Sequence, residues 1–173
     1  MMQAAHGNHT PSPKYIFVSG GVLSGLGKGV TAASLGLLLR SRGYSVTNIK
    51  CENYLNLDSG NINPIEHGDV FLCEDGLEAD LDLGTYERFL GVNVGAKNFT
   101  TMGQIYLKVI EDTKNLSFNG ATVDAIPYVP EEAIRRIKDS AKGFDIILVE
   151  LGGTVGEYQN AIYYLSLIHI SEP

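Results

Sequence analysis

The sequence contains no tryptophan and only two cysteines, Cys51 and Cys73, among its 173 residues. Two cysteines at this spacing are too few for a disulfide framework or for a zinc site built on paired cysteines. We therefore expect both to be reduced thiols. The chain also lacks any apolar run of the roughly 18 residues that a membrane span requires, and no secretory signal is evident. These features predict a cytoplasmic protein with no membrane partner.

Basic residues are also scarce. Lysine and arginine number 13 against 20 acidic residues, which gives a net charge of −7. Binding to nucleic acid depends on a basic stripe that neutralises phosphates, so a nucleic-acid partner is not expected. A nucleotide remains possible, because one lysine and a row of backbone N–H groups can hold phosphates in an acidic protein.

The first half of the chain has the pattern of a βαβ unit. The apolar run YIFV (15–18) predicts a buried strand that leads into a glycine-rich loop. A helical pattern follows and ends at Gly43, and YSVTNI (44–49) predicts the next strand. We therefore predict an α/β fold, a three-layer P-loop-type domain with a mostly parallel sheet flanked by helices.

The remaining elements are less regular. Thr100 or Thr101 is expected to cap the helix that begins near Gly103. The predicted segments are a polar tail at 1–14, a loop at 51–68, helices at 85–90, 103–116 and 130–143, and strands at 121–129 and 145–151.

The glycine-rich loop SGGVLSGLGKG (19–29) follows a predicted strand and precedes a helix, which is the context of a phosphate-binding loop. Lys28 would neutralise phosphate oxygens, and the helix N-terminus would add backbone donors. The usual loop has serine or threonine after this lysine to hold Mg²⁺, whereas this chain has Gly29. The alternative is a tight turn that carries a surface lysine.

Carboxylates at the ends of strands could supply the metal ligands instead. Glu150 closes the predicted strand DIILVEL, and Asp82 lies in an acidic stretch with Asp75 and Asp80. Mg²⁺ prefers such oxygen ligands, and ligands of open α/β sheets gather at the carboxyl ends of strands. The alternatives are a solvated acidic face for the stretch around Asp82 and a paired strand-end carboxylate for Glu150.

Five motifs occur in a characteristic order: YIFVSGGVLSGLGKG, YLNLDSG, EHGDVFLCEDGLEADLDLGTYERFL, NFTT and VELGGTVG. Together they resemble the amidoligase (synthetase) domain of the CTP synthases, from Lys14 to about Glu157. DLDLGTYERFL is the most specific of these motifs. By this resemblance the chain would be an incomplete amidoligase domain (15–165) with an atypical tail (166–173) and without the family's glutaminase domain.

The resemblance implies synthesis of CTP from UTP with ATP, Mg²⁺ and ammonia. ATP phosphorylates the uracil 4-oxygen, and ammonia from the glutaminase domain then displaces phosphate. CTP is expected as a product inhibitor, and a homotetramer or filament is expected for the full-length protein. The implied site residues are Lys28 and Lys50 for catalysis, Ser24, Gly25, Leu26, Gly27, Lys28, Gly29 and Asp82 for ATP, Asp82 and Glu150 for Mg²⁺, and Ser24, Glu157, Tyr158 and Gln159 for UTP or CTP.

Several positions depart from the family pattern. Asp124 and Tyr128 replace a glutamine and a histidine near the UTP site, and Glu157-Tyr158-Gln159 stands where the family has Asp-Ile-Glu. One alternative is therefore a non-catalytic paralogue that assembles with an active CTP synthase. Another is a P-loop enzyme related to dethiobiotin synthetase or the partition ATPases, in which serine or threonine would replace Gly29. We expect the chain alone to bind Mg-ATP but not to make CTP unaided.

Overall fold

The computed structural model describes residues 12–21 and 27–171. Within these ranges it contains six strands and six α-helices. The strands are β1 (Lys14–Gly20), β2 (Val46–Glu52), β3 (Val70–Leu72), β4 (Glu78–Asp80), β5 (Phe99–Thr101) and β6 (Ile146–Thr154). The helices are α1 (Lys28–Arg40), α2 (Pro64–His67), α3 (Leu81–Leu90), α4 (Met102–Lys114), α5 (Ala125–Ser140) and α6 (Ala161–Ser171).

The central sheet has four parallel strands in the order β1-β6-β2-β5, and β3 and β4 form a separate antiparallel hairpin. β6 pairs with both β1 and β2, and its register places Glu150 opposite Val18 on one side and Lys50 on the other. Because the strands are parallel, their carboxyl ends meet at one edge of the sheet. The side chains at this edge form the candidate site.

Helices cover both faces of the sheet, as the three-layer prediction requires. On one face, Ala32 and Ala33 of α1 pack with Leu83 and Tyr86 of α3. On the other, Ile105 of α4, Val129, Ala133 and Ile137 of α5 and Tyr163 of α6 pack against Ile147 and Val149 of β6. The predicted α/β class is confirmed. None of the described helices is long and apolar enough to cross a bilayer.

The predicted strand at 121–129 is wrong. Residues 121–124 have no regular structure, and α5 begins at Ala125. Pro127 and Pro130 lack the N–H that a strand inside a sheet must donate, which disfavours such a strand. Val129, Ala133 and Ile137 are buried at helical spacing. The segment therefore extends the predicted helix toward its N-terminus.

The middle of the chain is more ordered than its sequence indicates. Thr101 caps α4 as expected, because its side chain accepts a hydrogen bond from Gln104 N at 3.1 Å. The predicted loop at 51–68 contains the end of β2 and the short helix α2. The predicted helix at 85–90 begins earlier, at Leu81, because the Asp80 side chain accepts from Asp82 N at 2.8 Å. This cap places Asp82 in the first turn of α3.

The two ends of the chain bear on the predicted domain limits. β1 already begins at Lys14, and the rest of the predicted tail falls mainly on residues 1–11, which lie outside the described residues. At the other end, α6 continues to Ser171 through most of the segment 166–173. The limits 15–165 therefore stay a prediction. Cys51 and Cys73 are buried and free, as expected.

Candidate functional site

Lys50 and Glu150 form a buried ion pair at the carboxyl edge of the sheet. They are register partners on the adjacent strands β2 and β6. Lys50 Nζ donates to Glu150 Oε1 at 2.8 Å, and the two residues are only 4% and 1% exposed. Neighbouring register positions of parallel strands share a face of the sheet, so the pairing follows directly from the strand order.

Asp82 approaches the same ammonium group from α3. Its Oδ2 accepts a hydrogen bond from Lys50 Nζ, so Lys50 bridges Asp82 and Glu150. Gly29, in the first turn of α1, lies against the Asp82 carboxylate, and a Cβ at Gly29 would overlap it. The glycine that departs from the usual phosphate-loop pattern is therefore the residue that admits Asp82 to the site.

Tyr86 orients the Glu150 carboxylate. It lies one helical turn after Asp82 in α3, and its hydroxyl donates to Glu150 Oε2. Burial, together with the Glu150 charge, raises the pKa of Tyr86 well above its usual value. The phenol therefore stays protonated and remains a hydrogen-bond donor to the carboxylate.

Lys28 is the first residue of α1, and its Nζ donates to Gly153 O at 2.7 Å. This contact ties the start of α1 to the end of β6. Gly27, at the N-cap, has φ of 82°, a left-handed conformation that glycine adopts at little cost. Ser24, Gly25 and Leu26, the other predicted ATP-loop residues, lie outside the described residues.

Carboxylates dominate the electrostatics around Lys50. Burial works to lower the pKa of Lys50, but Glu52 and Glu150 raise it well above its usual value. Burial also raises the pKa of Glu150, and it raises the pKa of Glu52 to about 7 despite the neighbouring Lys50. Lys50 is thus held charged, while two buried carboxylates are only partly compensated.

The oxygens around Lys50 also fit a metal. Asp82 and Glu150 each offer a carboxylate oxygen to one ammonium group, so the two carboxylates already share a cation. Hard divalent ions such as Mg²⁺ take carboxylate oxygens of this kind. The donor set is therefore suited to Mg²⁺, with Asp82 and Glu150 as the residues that would hold it.

Of the four residues predicted to contact UTP or CTP, Ser24 lies outside the described residues, and the other three differ in position. Glu157 folds back over the end of β6. Its Oε1 accepts from Thr154 N at 3.0 Å, and its Oε2 accepts from Asn53 Nδ2 at 2.6 Å. Burial works to raise the pKa of Glu157. The hydrogen bonds, together with the charge of Lys28, outweigh burial and lower the pKa below its usual value. Tyr158 and Gln159 are exposed. The structure therefore places Glu157 near Lys28 and leaves the other two at the surface.

Three residues of this region were not predicted as site residues. Glu52 follows Lys50 by two residues on the same face of β2, and Tyr86 follows Asp82 by four residues on the same face of α3, so strand and helix periodicity could have found both. His67 carries no such signal. It reaches Asp80 only because α2 and the β3–β4 hairpin fold together.

The chain is similar to a family of known proteins. The family model described as "CTP synthase N-terminus" matches residues 14–172. The chain belongs to this family. It is 52% identical over 147 residues to the CTP synthase of Pyrococcus horikoshii, covering 85% of this chain and 27% of that protein. Against the CTP synthase of Nautilia profundicola it is 55% identical over 146 residues, covering 84% of this chain and 27% of the relative. The chain thus spans about a quarter of the length of the curated relatives it matches.

Proposed function

We propose that this chain is the ATP-binding, phosphoryl-transfer portion of a CTP synthase. In the proposed reaction the γ-phosphoryl group of ATP passes to the uracil 4-oxygen of UTP and ADP leaves. Ammonia then adds at C4 and phosphate leaves, which yields CTP. The observation that carries the proposal is the bridge from Lys50 to Asp82 and Glu150 beside the start of α1.

Phosphoryl transfer needs positioning and charge neutralisation more than covalent chemistry from the protein. Lys28, at the first position of α1, is assigned to the phosphates together with the backbone N–H groups of the helix start. Lys50 is assigned to the negative charge that develops during transfer. Gly25, Gly27 and Gly29 are assigned to close approach of the backbone to the triphosphate, because glycine has no side chain to obstruct it. Ser24 and Leu26 are assigned to the same ATP-binding loop.

Asp82 and Glu150 are assigned to Mg²⁺, which would neutralise phosphate charge when bound. The chain's own contribution is to hold these two carboxylates at a fixed separation. The N-terminal turn of α3 fixes Asp82, and the register of β6 with Tyr86 fixes Glu150. Asp82 also lies against Gly29, so it joins the metal position to the end of the phosphate loop.

The partners of the whole protein belong to the same proposal. UTP would be bound with help from Glu157 and Ser24, and with Tyr158 and Gln159 at the exposed rim. CTP would act as a product inhibitor. A glutaminase domain would supply ammonia, and a homotetramer or filament in the cytoplasm is the expected assembly. These expectations rest on membership of the family.

A chimera tests the proposal without requiring the chain to act alone. This chain would replace the matching segment of the Pyrococcus horikoshii relative, and CTP formation would be measured with UTP, Mg-ATP and ammonium chloride. We expect CTP formation that requires both nucleotides and is lost in Lys50→Ala. The matched control is Lys138→Ala, which removes an exposed lysine of α5.

Two outcomes would overturn the proposal. A folded chimera that binds Mg-ATP but makes no CTP would indicate the non-catalytic paralogue. A chimera that hydrolyses ATP at the same rate with and without UTP would indicate a P-loop ATPase of another type.

A further inference from the structure

Glu52, His67 and Asp80 meet beside the Lys50 centre from three separate elements. Glu52 ends β2, His67 ends α2, and Asp80 ends β4. One ligand atom from each lies within 4.8 Å of the other two. None of the three has an assigned role in the proposed phosphoryl transfer, so the cluster requires its own explanation.

The Glu52 carboxylate is buried and poorly compensated. The residue is 5% exposed, and Lys50 lies 3.4 Å from its Oε1. The same ammonium group contacts Glu150 at 2.8 Å and also contacts Asp82. Among the described residues, no other lysine, arginine or histidine forms an ion pair with Glu52. One shared lysine cannot balance three carboxylates, and a buried uncompensated charge is costly.

Asp80 and His67 face each other without forming a hydrogen bond. Asp80 uses Oδ1 to cap α3, while its Oδ2 lies 3.8 Å from His67 Nε2. That separation exceeds the roughly 2.7–3.2 Å of a hydrogen bond. It is close to the roughly 3.4 Å between two ligands that are each about 2.1 Å from a tetrahedral ion. The Tyr54 ring packs edge-to-face on His67, with centroids 5.3 Å apart, which restrains the imidazole.

We propose that Glu52, His67 and Asp80 bind a second divalent cation, distinct from the Mg²⁺ assigned to Asp82 and Glu150. One imidazole nitrogen with two carboxylate oxygens favours a first-row transition ion such as Zn²⁺ over Mg²⁺, which prefers an all-oxygen shell. A cation here would balance Glu52 and Asp80 and leave Lys50 to the other two carboxylates. The site does not depend on the identity of the nucleotide, so it stands apart from the proposed CTP synthase chemistry.

Nuclear magnetic resonance of the histidine side chains tests the site directly. The chain has four histidines, His6, His9, His67 and His169. The full chain would be labelled with ¹⁵N-histidine, and the His67 ring signal would be identified by its loss in His67→Gln. Zn²⁺ is the probe, added in the presence of excess Mg²⁺. We expect the His67 ring nitrogens to shift and to saturate at one equivalent.

Matched variants separate ligand loss from loss of structure. Asp80→Asn keeps a good helix cap, and Glu52→Gln keeps the shape of the side chain. Each should weaken the Zn²⁺ effect on His67 by about tenfold or more, since loss of even an outer partner of a metal ligand costs about 10–100-fold. Glu66→Gln removes an exposed carboxylate next to His67 and should change nothing.

The proposal is overturned if His67 does not shift on addition of Zn²⁺, or shifts equally in Glu52→Gln and Asp80→Asn. A shift confined to His6, His9 or His169 would also overturn it. If either test variant unfolds, the titrations of the wild-type chain and of Glu66→Gln still test the proposal. The His67 signal must shift and saturate at one equivalent of Zn²⁺ in both of these chains. Mg-ATP binding is a separate measurement, so failure of this site leaves the proposed function standing.

Discussion

Gly29 and Asp82 are in direct contact across the interface between α1 and α3. The Asp82 carboxylate occupies the space that a Cβ at position 29 would fill. A serine or threonine after Lys28, as in the usual phosphate loop, would therefore displace Asp82. In this chain the Asp82 carboxylate takes the place of the hydroxyl in the proposed metal site. The absence of a side chain at position 29 removes the hydroxyl and at the same time makes room for Asp82.

The first prediction follows from this contact. Gly29→Ala should displace Asp82 and lower the free energy of unfolding by about 1–3 kcal/mol, the usual cost of overpacking. This should occur even though alanine favours a helix over glycine by about 1 kcal/mol. Denaturant unfolding measures the effect. Gly156→Ala, where a Cβ meets nothing within 4 Å, is the control, and equal unfolding free energies for the two variants would contradict the prediction.

The second prediction concerns Tyr86. Tyr86→Phe removes the hydroxyl that donates to Glu150 Oε2. A buried carboxylate oxygen without its donor should lower the free energy of unfolding by about 1–3 kcal/mol. Mg-ATP affinity should fall by about tenfold, as for other groups that orient a metal ligand. Calorimetry on Tyr86→Phe beside Tyr44→Phe, which alters a tyrosine that is 48% exposed, measures the difference. Unchanged affinity in Tyr86→Phe would show that Glu150 does not need this donor.

The third prediction concerns the pH dependence of stability. Glu132 in α5 accepts from Arg135 Nε at 2.6 Å and from Arg136 Nε at 2.8 Å. Burial alone would raise the pKa of Glu132, but these hydrogen bonds and charges lower it below its ordinary value of 4.5. Because the folded pKa is the lower one, the stabilisation is present above pH 4.5 and is lost as the pH falls through the folded value.

Glu132→Gln should therefore lower the free energy of unfolding by roughly 1–3 kcal/mol at pH 7. The difference from the unmodified chain should shrink below pH 4.5. Denaturant unfolding at several pH values gives both results. Glu131→Gln, which alters an exposed neighbour, should have no comparable effect. If Glu132→Gln lowers the free energy of unfolding by the same amount at low pH as at pH 7, the role given to the Glu132 charge is wrong.

The sequence predicted the part of the fold that depends on local pattern. Runs of apolar residues indicated β1 and β6, and the helix between β1 and β2 was predicted to end at Gly43 but ends at Arg40. Lys50 and Glu150 come together because they lie at the ends of adjacent parallel strands, and this adjacency depends on the strand order, which was not predicted. Asp82 was found through its acidic motif, although the cap that starts α3 at Leu81 was not foreseen.

Long-range packing accounts for the elements that were missed. The segment 121–129 has the β-branched and apolar residues of a strand, but its prolines and the buried spacing of Val129, Ala133 and Ile137 favour a helix. His67 is separated from Glu52 by a loop, and no periodicity links them. The contact between His67 and Asp80 arises from tertiary folding of a short helix against a hairpin, which single-sequence patterns do not encode.

We have proposed that Lys28, Lys50, Asp82 and Glu150 form a metal-dependent phosphate site. Isothermal titration calorimetry of Mg-ATP into the purified chain tests it most directly, with Lys28→Ala, Glu150→Gln and the control Lys138→Ala measured beside it. We expect binding that requires the divalent ion, survives in Lys138→Ala and is lost in the other two variants. Binding that is independent of the metal, or no binding by a demonstrably folded chain, would contradict it.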